Sequence, residues 1–213
     1  MLMEKERTLV VEYGKKLITQ GLTTGTGGNI SVFDPETGYM AISPTGVDYF
    51  ETAPEDVAVL RASDSKKIDG RLKPSSEYLL HSIFYNNRSD IRAVVHTHSP
   101  YATALATLGE GLPAASYLTA FAGPDVRCAP YRTYGTRELA EAAYEYMTDR
   151  NCVLLSNHGL VAGAPDLAGA FHIALTIEEC CRTYHLARSI GKPIILPEDE
   201  MQRLIKKFKS YGQ

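Results

Sequence analysis

Cysteine is scarce in this chain, and the spacing of the few that occur argues against two kinds of site. Among 213 residues there are four, and none belongs to a Cys-x-x-Cys pair: Cys128, Cys152, Cys180 and Cys181. A thiolate zinc site needs closer pairs of this kind, and a disulfide framework needs an oxidising compartment. We therefore interpret all four as reduced thiols of a cytoplasmic protein.

Long apolar runs and an excess of positive charge are also missing. No apolar stretch approaches the roughly 20 residues that a membrane-spanning helix needs, and residues 1–7 lack the apolar core of a signal peptide. The net charge is −3 and the isoelectric point is near 6.1. The one basic run, 206–209, is typical of the solvated face of a last helix. We expect a cytoplasmic protein that binds neither membrane nor nucleic acid.

The apolar content and its spacing predict one domain of the α/β class. Hydrophobic residues make up 44% of the chain, enough for one sizeable core, so we predict a single domain over residues 1–213. Helical periodicity and cap signals predict helices over 4–20, 77–85, 100–108, 136–148, 166–190 and 198–210. Short apolar runs predict strands over 30–33, 39–43, 57–60, 93–97, 152–155 and 160–162. Because these elements do not alternate strictly, we expect a central mixed, largely antiparallel sheet flanked by helices.

Two histidines at alternate positions, His96 and His98, directly follow the β-branched pair 94–95. Side chains two apart on a strand point to the same face, so both imidazoles can reach one point. His158, in a turn-like Asn-His-Gly, would complete a set of three nitrogen ligands. Three protein ligands leave a coordination position open, which is typical of a catalytic zinc site rather than a structural one.

A carboxylate and three polar segments are candidates for the rest of such a site. Glu77 lies at a predicted helix start, which Ser75 or Ser76 would cap. There it either complements the helix dipole or acts as a metal ligand and general base. The serines at this helix start, the glycine-rich loop with 27–29 and the turn 43–46 offer N–H groups and hydroxyls that suit a phosphate. The loop matches neither G-x-G-x-x-G nor a P-loop, which disfavours a nucleotide.

The other histidines and one lysine are assigned no leading role. His81, His172 and His185 lie on predicted helices, and we interpret them as packing or surface residues. Lys73 is a candidate for a Schiff base. It precedes a proline in a loop with no evident desolvating surroundings, so this stays a minor alternative.

Five separated motifs occur in the order found in one known family: GGNIS at 27–31, SPTG at 43–46, PSSE at 74–77, HTH at 96–98 and NHGL at 157–160. On these motifs the chain resembles the class II aldolase/adducin family, from about residue 4 to its end. The segments 128–139 and 207–212 are most similar to members that act on L-fuculose 1-phosphate. The resemblance implies the three-layer α/β fold of that family.

For the site, the resemblance implies one Zn²⁺ per subunit. The ion would be held by His96, His98 and His158, with Glu77 as the fourth ligand when substrate is absent. The resemblance also implies that a set of loop and helix-start residues binds the phosphate of a small sugar phosphate: Thr26, Asn29, Thr45, Gly46, Ser75 and Ser76.

Three tyrosines are implied at the aldehyde end of the substrate. Tyr117 and Tyr211 are the implied catalytic residues there, and Tyr134 binds substrate at a position where the compared members carry phenylalanine. The family forms homotetramers with sites at the subunit interfaces. The resemblance therefore implies that these tyrosines act on a neighbour's zinc.

The implied activity is zinc-dependent, reversible cleavage of L-fuculose 1-phosphate into dihydroxyacetone phosphate and L-lactaldehyde. Breaking the C3–C4 bond leaves a carbanion beside a carbonyl, a charge that a divalent metal can stabilise. Tyr117 would handle the C4 hydroxyl proton and Glu77 the proton on the carbanion carbon. Within the family the alternatives are an L-ribulose-5-phosphate 4-epimerase, a methylthioribulose-1-phosphate dehydratase and a deoxypentulose-phosphate aldolase. From another class, a non-catalytic adducin-like binding module stays open, although such modules lack the metal ligands present here.

Overall fold

Eight strands form one sheet in this computed structural model, which describes residues 1–208. The strands are Asn29–Asp34 (β1), Tyr39–Ile42 (β2), Ala58–Arg61 (β3), Lys67–Asp69 (β4), Ala93–Thr97 (β5), Arg127–Ala129 (β6), Cys152–Leu155 (β7) and Gly159–Ala164 (β8). Their order across the sheet is β4-β3-β2-β1-β5-β8-β7-β6. Every neighbouring pair is antiparallel except β6 with β7. The predicted mixed, largely antiparallel sheet is confirmed.

Helices cover both faces of the sheet. The described α-helices are Glu4–Thr19 (α1), Tyr78–Asn87 (α2), Pro100–Thr107 (α3), Arg137–Tyr146 (α4), Leu167–Ile190 (α5) and Glu198–Phe208 (α6), and 3-10 helices span Pro54–Asp56 and Tyr117–Phe121. Apolar residues of α1, α3 and α5 pack in one core, and those of α2 and α4 pack in a second core on the opposite face. The result is the three-layer α/β arrangement that the resemblance implied. Within the described chain, no helix combines the length and apolar character that a membrane crossing requires.

The central strand β5 is buried along its whole length. Ala93 and Val95 belong to the core under α1, α3 and α5, whereas Val94 belongs to the core under α2 and α4. Because successive side chains of a strand alternate between faces, His96 lies on the same face as Val94. The alternation of side chains between the two faces of β5 thus directs His96 toward α2.

Several local predictions differ from the structure. Glu77, and not a serine, is the N-cap residue of α2, and its side chain makes no capping bond. Ser75 Oγ instead accepts the Glu77 N–H at 3.2 Å, one step upstream of the helix. The short strands β4 and β6 were missed, because each has three residues at an edge of the sheet and carries little pattern. The last two residues of the predicted helix 198–210 lie outside the described part of the chain, and the domain boundary 1–213 stays a prediction.

Candidate metal centre

The end of β5 brings two histidines toward one point, as the spacing predicts. His96 is fully buried, and its Nδ1 donates a hydrogen bond to the Leu160 carbonyl oxygen at 2.9 Å. This bond fixes the ring and leaves the Nε2 lone pair free for a ligand. His98 lies two residues further on and is more exposed, and its Nε2 is 3.1 Å from His96 Nε2.

The third histidine comes from the hairpin between β7 and β8. Asn157 takes a left-handed conformation with φ of 56°, which asparagine tolerates better than most residues. His158 follows it, and its ring centroid lies 4.8 Å from that of His96 and 5.2 Å from that of His98. Gly159 follows the turn, and a Cβ at this position would clash with the Thr97 carbonyl oxygen. The hairpin therefore approaches the end of β5 closely only with glycine at this position.

The carboxylate of Glu77 faces the three imidazoles from the start of α2. Glu77 Oε2 lies 3.3 Å from His96 Nε2, and Glu77 Oε1 lies 3.4 Å from His158 Nε2. Glu77 is buried, and Asn29 Nδ2 donates a hydrogen bond to its Oε2 at 2.9 Å. Strand register explains the position of the amide, because Asn29 is the direct partner of His96 in the β1–β5 ladder.

The protonation states of the cluster suit a cation. Burial acts to raise the pKa of Glu77, but His96, His158 and the Asn29 amide outweigh it and hold this pKa well below its usual value. Burial and then the charge of His96 lower the pKa of His98 and of His158 to about 4 each. For His96, burial acts to lower the pKa, but the Glu77 carboxylate raises it above the ordinary value. A divalent cation binds carboxylate and imidazole groups in their deprotonated forms, so the lowered pKa values of Glu77, His98 and His158 favour metal binding.

The donor set fits a divalent metal ion. One ligand atom from each of Glu77, His96, His98 and His158 lies within 4.8 Å of all the others. Glu77 Oε1 is buried and has no hydrogen-bond partner within the described residues, so this oxygen is available to a cation. Three nitrogen donors and one carboxylate are typical ligands of zinc. The predicted ligand residues are therefore together, and they are able to bind a metal ion.

A cavity of about 380 Å³ opens beside the cluster, with Glu77, His98 and His158 in its wall. All six residues expected to bind phosphate line the same cavity: Thr26, Asn29, Thr45, Gly46, Ser75 and Ser76. The Ser75 N–H donates to the Ser43 carbonyl oxygen at 2.9 Å, and the Thr45 N–H donates to the Lys73 carbonyl oxygen at 3.2 Å. These bonds hold two of the predicted phosphate segments side by side.

The glycine-rich loop is held against the end of β5. Gly28 has a φ of +69°, and a Cβ there would lie 2.7 Å from the His96 carbonyl oxygen. Both the backbone conformation and the lack of space therefore exclude a side chain at this position. The buried Tyr49 donates its hydroxyl to the Gly28 carbonyl oxygen at 2.8 Å. Sequence reasoning missed Tyr49, because its contact with the loop arises only from the tertiary fold.

The tyrosines differ in where the structure places them. Tyr134 lines the cavity, together with Tyr131 and Arg132 from the same exposed loop, and neither of these two was predicted. Tyr117 lies on a 3-10 helix near Phe208, with ring centroids 6.2 Å apart, and does not line this cavity. Within one subunit Tyr117 is therefore not part of the site. Tyr211 falls outside the described residues.

His81 also has a different position from the one expected. It is completely buried, and both of its ring nitrogens are within hydrogen-bond distance of side chains on β1. A single histidine on a helix carries no pattern that distinguishes this polar position from ordinary packing.

Comparison with known proteins identifies the family. A family model described as the class II aldolase and adducin N-terminal domain matches residues 8–185. The chain belongs to the class II aldolase and adducin family. The chain is 59% identical, over all 213 residues of both proteins, to a 5-deoxy-D-ribulose 1-phosphate aldolase of Bacillus thuringiensis serovar kurstaki. It is 38% identical to an L-fuculose phosphate aldolase of Escherichia coli, over 90% of this chain and 88% of that protein.

A solved structure named L-fuculose 1-phosphate aldolase has the same architecture. It superposes with a TM-score of 0.96 at 47% sequence identity, and the match covers 98% of each chain. Together with the aldolase relatives, this similarity shows that the chain is a class II aldolase, a carbon–carbon lyase. Aldolases of this class depend on a metal ion, and the cluster of three histidines and Glu77 is able to hold one. The alternative of a non-catalytic binding module is therefore not supported.

Proposed function

We propose that the chain is a zinc-dependent aldolase that cleaves a 5-deoxypentulose 1-phosphate, with 5-deoxy-D-ribulose 1-phosphate as the leading candidate. The observation that carries the proposal is the ligand cluster, which opens into the cavity lined by the phosphate candidates. The choice of sugar rests on the relative that is 59% identical over the full length. Cleavage of this substrate between C3 and C4 gives dihydroxyacetone phosphate and acetaldehyde.

L-Fuculose 1-phosphate is the second candidate, supported by the solved aldolase structure at 47% identity. Its cleavage gives the same dihydroxyacetone phosphate but releases L-lactaldehyde, which carries one more hydroxyl-bearing carbon. The two substrates therefore differ only at the aldehyde end. Tyr131 and Tyr134 belong to an exposed loop of the cavity wall and are the residues we assign to this distinction.

We assign different roles in the reaction to different residues of the cavity. The hydroxyls and N–H groups around Thr26, Thr45 and Ser76 hold the phosphate and so fix the reacting carbons beside the ligand cluster. When held by His96, His98 and His158, with Glu77 as a fourth ligand until substrate binds, zinc would supply a Lewis acid for the negative charge that develops beside the ketone.

Cleavage also requires two proton movements. C3 must gain a proton, and the C4 hydroxyl must lose one. We assign the first to Glu77. Its depressed pKa keeps it ionised and able to take the proton from C3 in the synthetic direction, and in cleavage it gives C3 a proton that it has first taken up from solvent. We assign the second to Tyr117 or Tyr211 of a neighbouring subunit in a homotetramer, because Tyr117 lies outside the cavity of its own subunit.

The test compares phosphorylated ketoses side by side in one assay. Purified protein is given the 1-phosphates of 5-deoxy-D-ribulose, L-fuculose and L-rhamnulose and the 5-phosphate of L-ribulose. Free dihydroxyacetone phosphate is measured for the three 1-phosphates, and the products of all four sugars are identified. We expect the largest kcat/KM with 5-deoxy-D-ribulose 1-phosphate, loss of activity with a chelator, and recovery with zinc. A stereoisomer without free products would indicate an epimerase, and loss of water a dehydratase.

A pair of histidine variants separates the site from the rest of the protein. His98→Ala removes a candidate ligand, whereas His185→Ala changes an equally exposed histidine on α5. We expect His98→Ala to lose at least about 100-fold in kcat/KM and His185→Ala to keep wild-type values. Inactivation by borohydride in the presence of substrate, combined with insensitivity to chelator, would refute the proposal and indicate a lysine Schiff base.

A further inference from the structure

Four polar side chains form a buried row behind Glu77. Asn29 and Ser31 come from β1, and His81 and Tyr85 come from α2. None is more than 7% exposed, and Ser31 and His81 are completely buried. The row runs from Glu77 at the ligand cluster into the core between the sheet and α2, where water cannot replace a missing partner.

All four distances along the row are within hydrogen-bond range, and three of them are short. Asn29 Nδ2 is 2.9 Å from Glu77 Oε2, and Asn29 Oδ1 is 2.5 Å from His81 Nε2. His81 Nδ1 is 2.6 Å from Ser31 Oγ, which is in turn 2.5 Å from the Tyr85 hydroxyl.

The ionised carboxylate fixes the direction of every bond in the row. A carboxylate only accepts, so the Asn29 amide must present its NH₂ group to Glu77 and its carbonyl oxygen to His81. His81 must then donate through Nε2 and accept through Nδ1, which takes the only proton of the Ser31 hydroxyl. Ser31 Oγ is left to accept from the Tyr85 hydroxyl, which also lies 3.1 Å from the Ser31 carbonyl oxygen. Reversing any one of these groups would place two acceptors or two donors face to face.

Neutral His81 is the form that this arrangement needs. Burial lowers the pKa of His81 to about 3, so a single ring proton is present at neutral pH. A charged imidazolium would donate from both nitrogens and would displace the Ser31 proton.

We infer that His81 is a positioning residue that orients the Asn29 amide and thereby determines which oxygen of Glu77 is free. Asn29 occupies Oε2, while Oε1 is buried without a hydrogen-bond partner in the described structure. Without the His81 donor, the Asn29 amide can rotate by half a turn and present its carbonyl oxygen to the carboxylate. The inference rests on the role of Glu77 as a metal ligand in the proposed function.

The test measures zinc affinity directly, by competition with a chromophoric chelator, and does not depend on turnover. His81→Leu removes both hydrogen bonds with a side chain of similar volume, whereas His81→Gln keeps one donor and one acceptor. We expect zinc to bind His81→Leu about 10- to 100-fold more weakly than wild type and His81→Gln within about threefold of it. Ser31→Ala, a milder change that frees the His81 tautomer, should lie between them and covers the case in which His81→Leu does not fold.

Phe84→Leu is the matched structural control. Phe84 is fully buried on the same helix but belongs to the apolar core and not to the polar row. It should lower the unfolding midpoint while zinc affinity stays at the wild-type value. Zinc affinity that is unchanged in both His81→Leu and Ser31→Ala, with only the unfolding midpoint lowered, would overturn the inference and leave a purely structural row.

Two reference measurements separate this outcome from failure of the proposed function. Wild type should bind one zinc per subunit, and His98→Ala should bind it much more weakly. If wild type and His98→Ala bind zinc equally, the proposed metal site itself is wrong, and the inference about His81 falls with it. If the His98 variant loses zinc and the His81 and Ser31 variants do not, only the positioning role is refuted.

Discussion

Replacing Gly27 by alanine adds one methyl group between the glycine-rich loop and the metal centre. A Cβ at this position would lie 2.7 Å from Thr23 Oγ1 and 2.9 Å from His98 Nδ1. The backbone of Gly27 lies outside the left-handed region, so alanine meets no conformational penalty there. The substitution therefore tests the packing of the loop against His98 and against the Thr23 hydroxyl.

The size of the effect follows from the contact with His98. Ordinary van der Waals contact begins near 3.4 Å, so the His98 ring or the loop must give way by about 0.5 Å. Zinc–nitrogen bonds are about 2.0–2.1 Å long and tolerate only about 0.2 Å of change. We therefore expect a loss of about 10- to 100-fold in zinc affinity, equivalent to about 1.4–2.8 kcal/mol.

The assay is a chelator competition with zinc at neutral pH, run beside a urea unfolding curve. Gly191→Ala is the control, because it makes the same chemical change at a glycine with extended backbone and no heavy atom within 4 Å of the added group. Gly191→Ala should match wild type in both measurements. Gly27→Ala that binds zinc within twofold of wild type would refute the argument that the loop packs tightly against His98.

Three further predictions concern stability and specificity. Asp69→Asn leaves the buried Arg7 guanidinium without its anion, so we expect a loss of about 1–2 kcal/mol in urea unfolding at pH 7. The Gly70 N–H and Arg7 lower the pKa of Asp69, so the stabilisation by its carboxylate is complete above pH 3.8 and is lost as the pH falls through the lowered pKa. A stability difference between wild type and Asp69→Asn that persists below that pKa would contradict the assignment. Thr136→Ala removes the hydroxyl that caps α4 at the Leu139 N–H and should cost about 1 kcal/mol; an unchanged unfolding midpoint would contradict it. Tyr134→Phe should change the ratio of kcat/KM between the 5-deoxyribulose and fuculose phosphates while zinc affinity stays constant; an unchanged ratio would remove Tyr134 from the aldehyde end.

The histidine pair was predictable because its signal is local. The spacing of two residues places His96 and His98 on one face of a strand without any knowledge of the partner strands, whereas the choice of the α2 face follows from the packing of the two cores. The five motifs of the family likewise lie in continuous segments. Predictions of this kind can be made from the sequence because each depends on a few neighbouring residues.

The second layer of the site was not predictable in the same way. His81 on α2 contacts Asn29 on β1 only in the folded protein. The same holds for Tyr49, whose hydroxyl donates to the Gly28 carbonyl oxygen of the glycine-rich loop. Arg132 lines the cavity because its loop passes beside Ser76. The approach is close, since a Cβ on Gly135 of this loop would lie 3.0 Å from the Ser76 carbonyl oxygen. Each contact joins residues far apart in the chain, and single-residue patterns carry no information about such pairs.

Antiparallel pairing explains how one end of the sheet gathers the three histidines and Asn29. In an antiparallel ladder the start of one strand faces the end of its neighbour. Asn29 at the start of β1 is therefore the partner of His96 at the end of β5, and Thr97 pairs with Leu160, next to the hairpin of His158.

The hydrogen bonds of three central strands thus hold the three histidines together, whereas the loop with Tyr131 and Tyr134 is exposed and outside the sheet. Under the proposed function, a change in that loop would alter the fit of the aldehyde without moving a ligand atom. The same fold is for this reason able to keep its metal chemistry while relatives at 38–59% identity carry the names of different sugar phosphates.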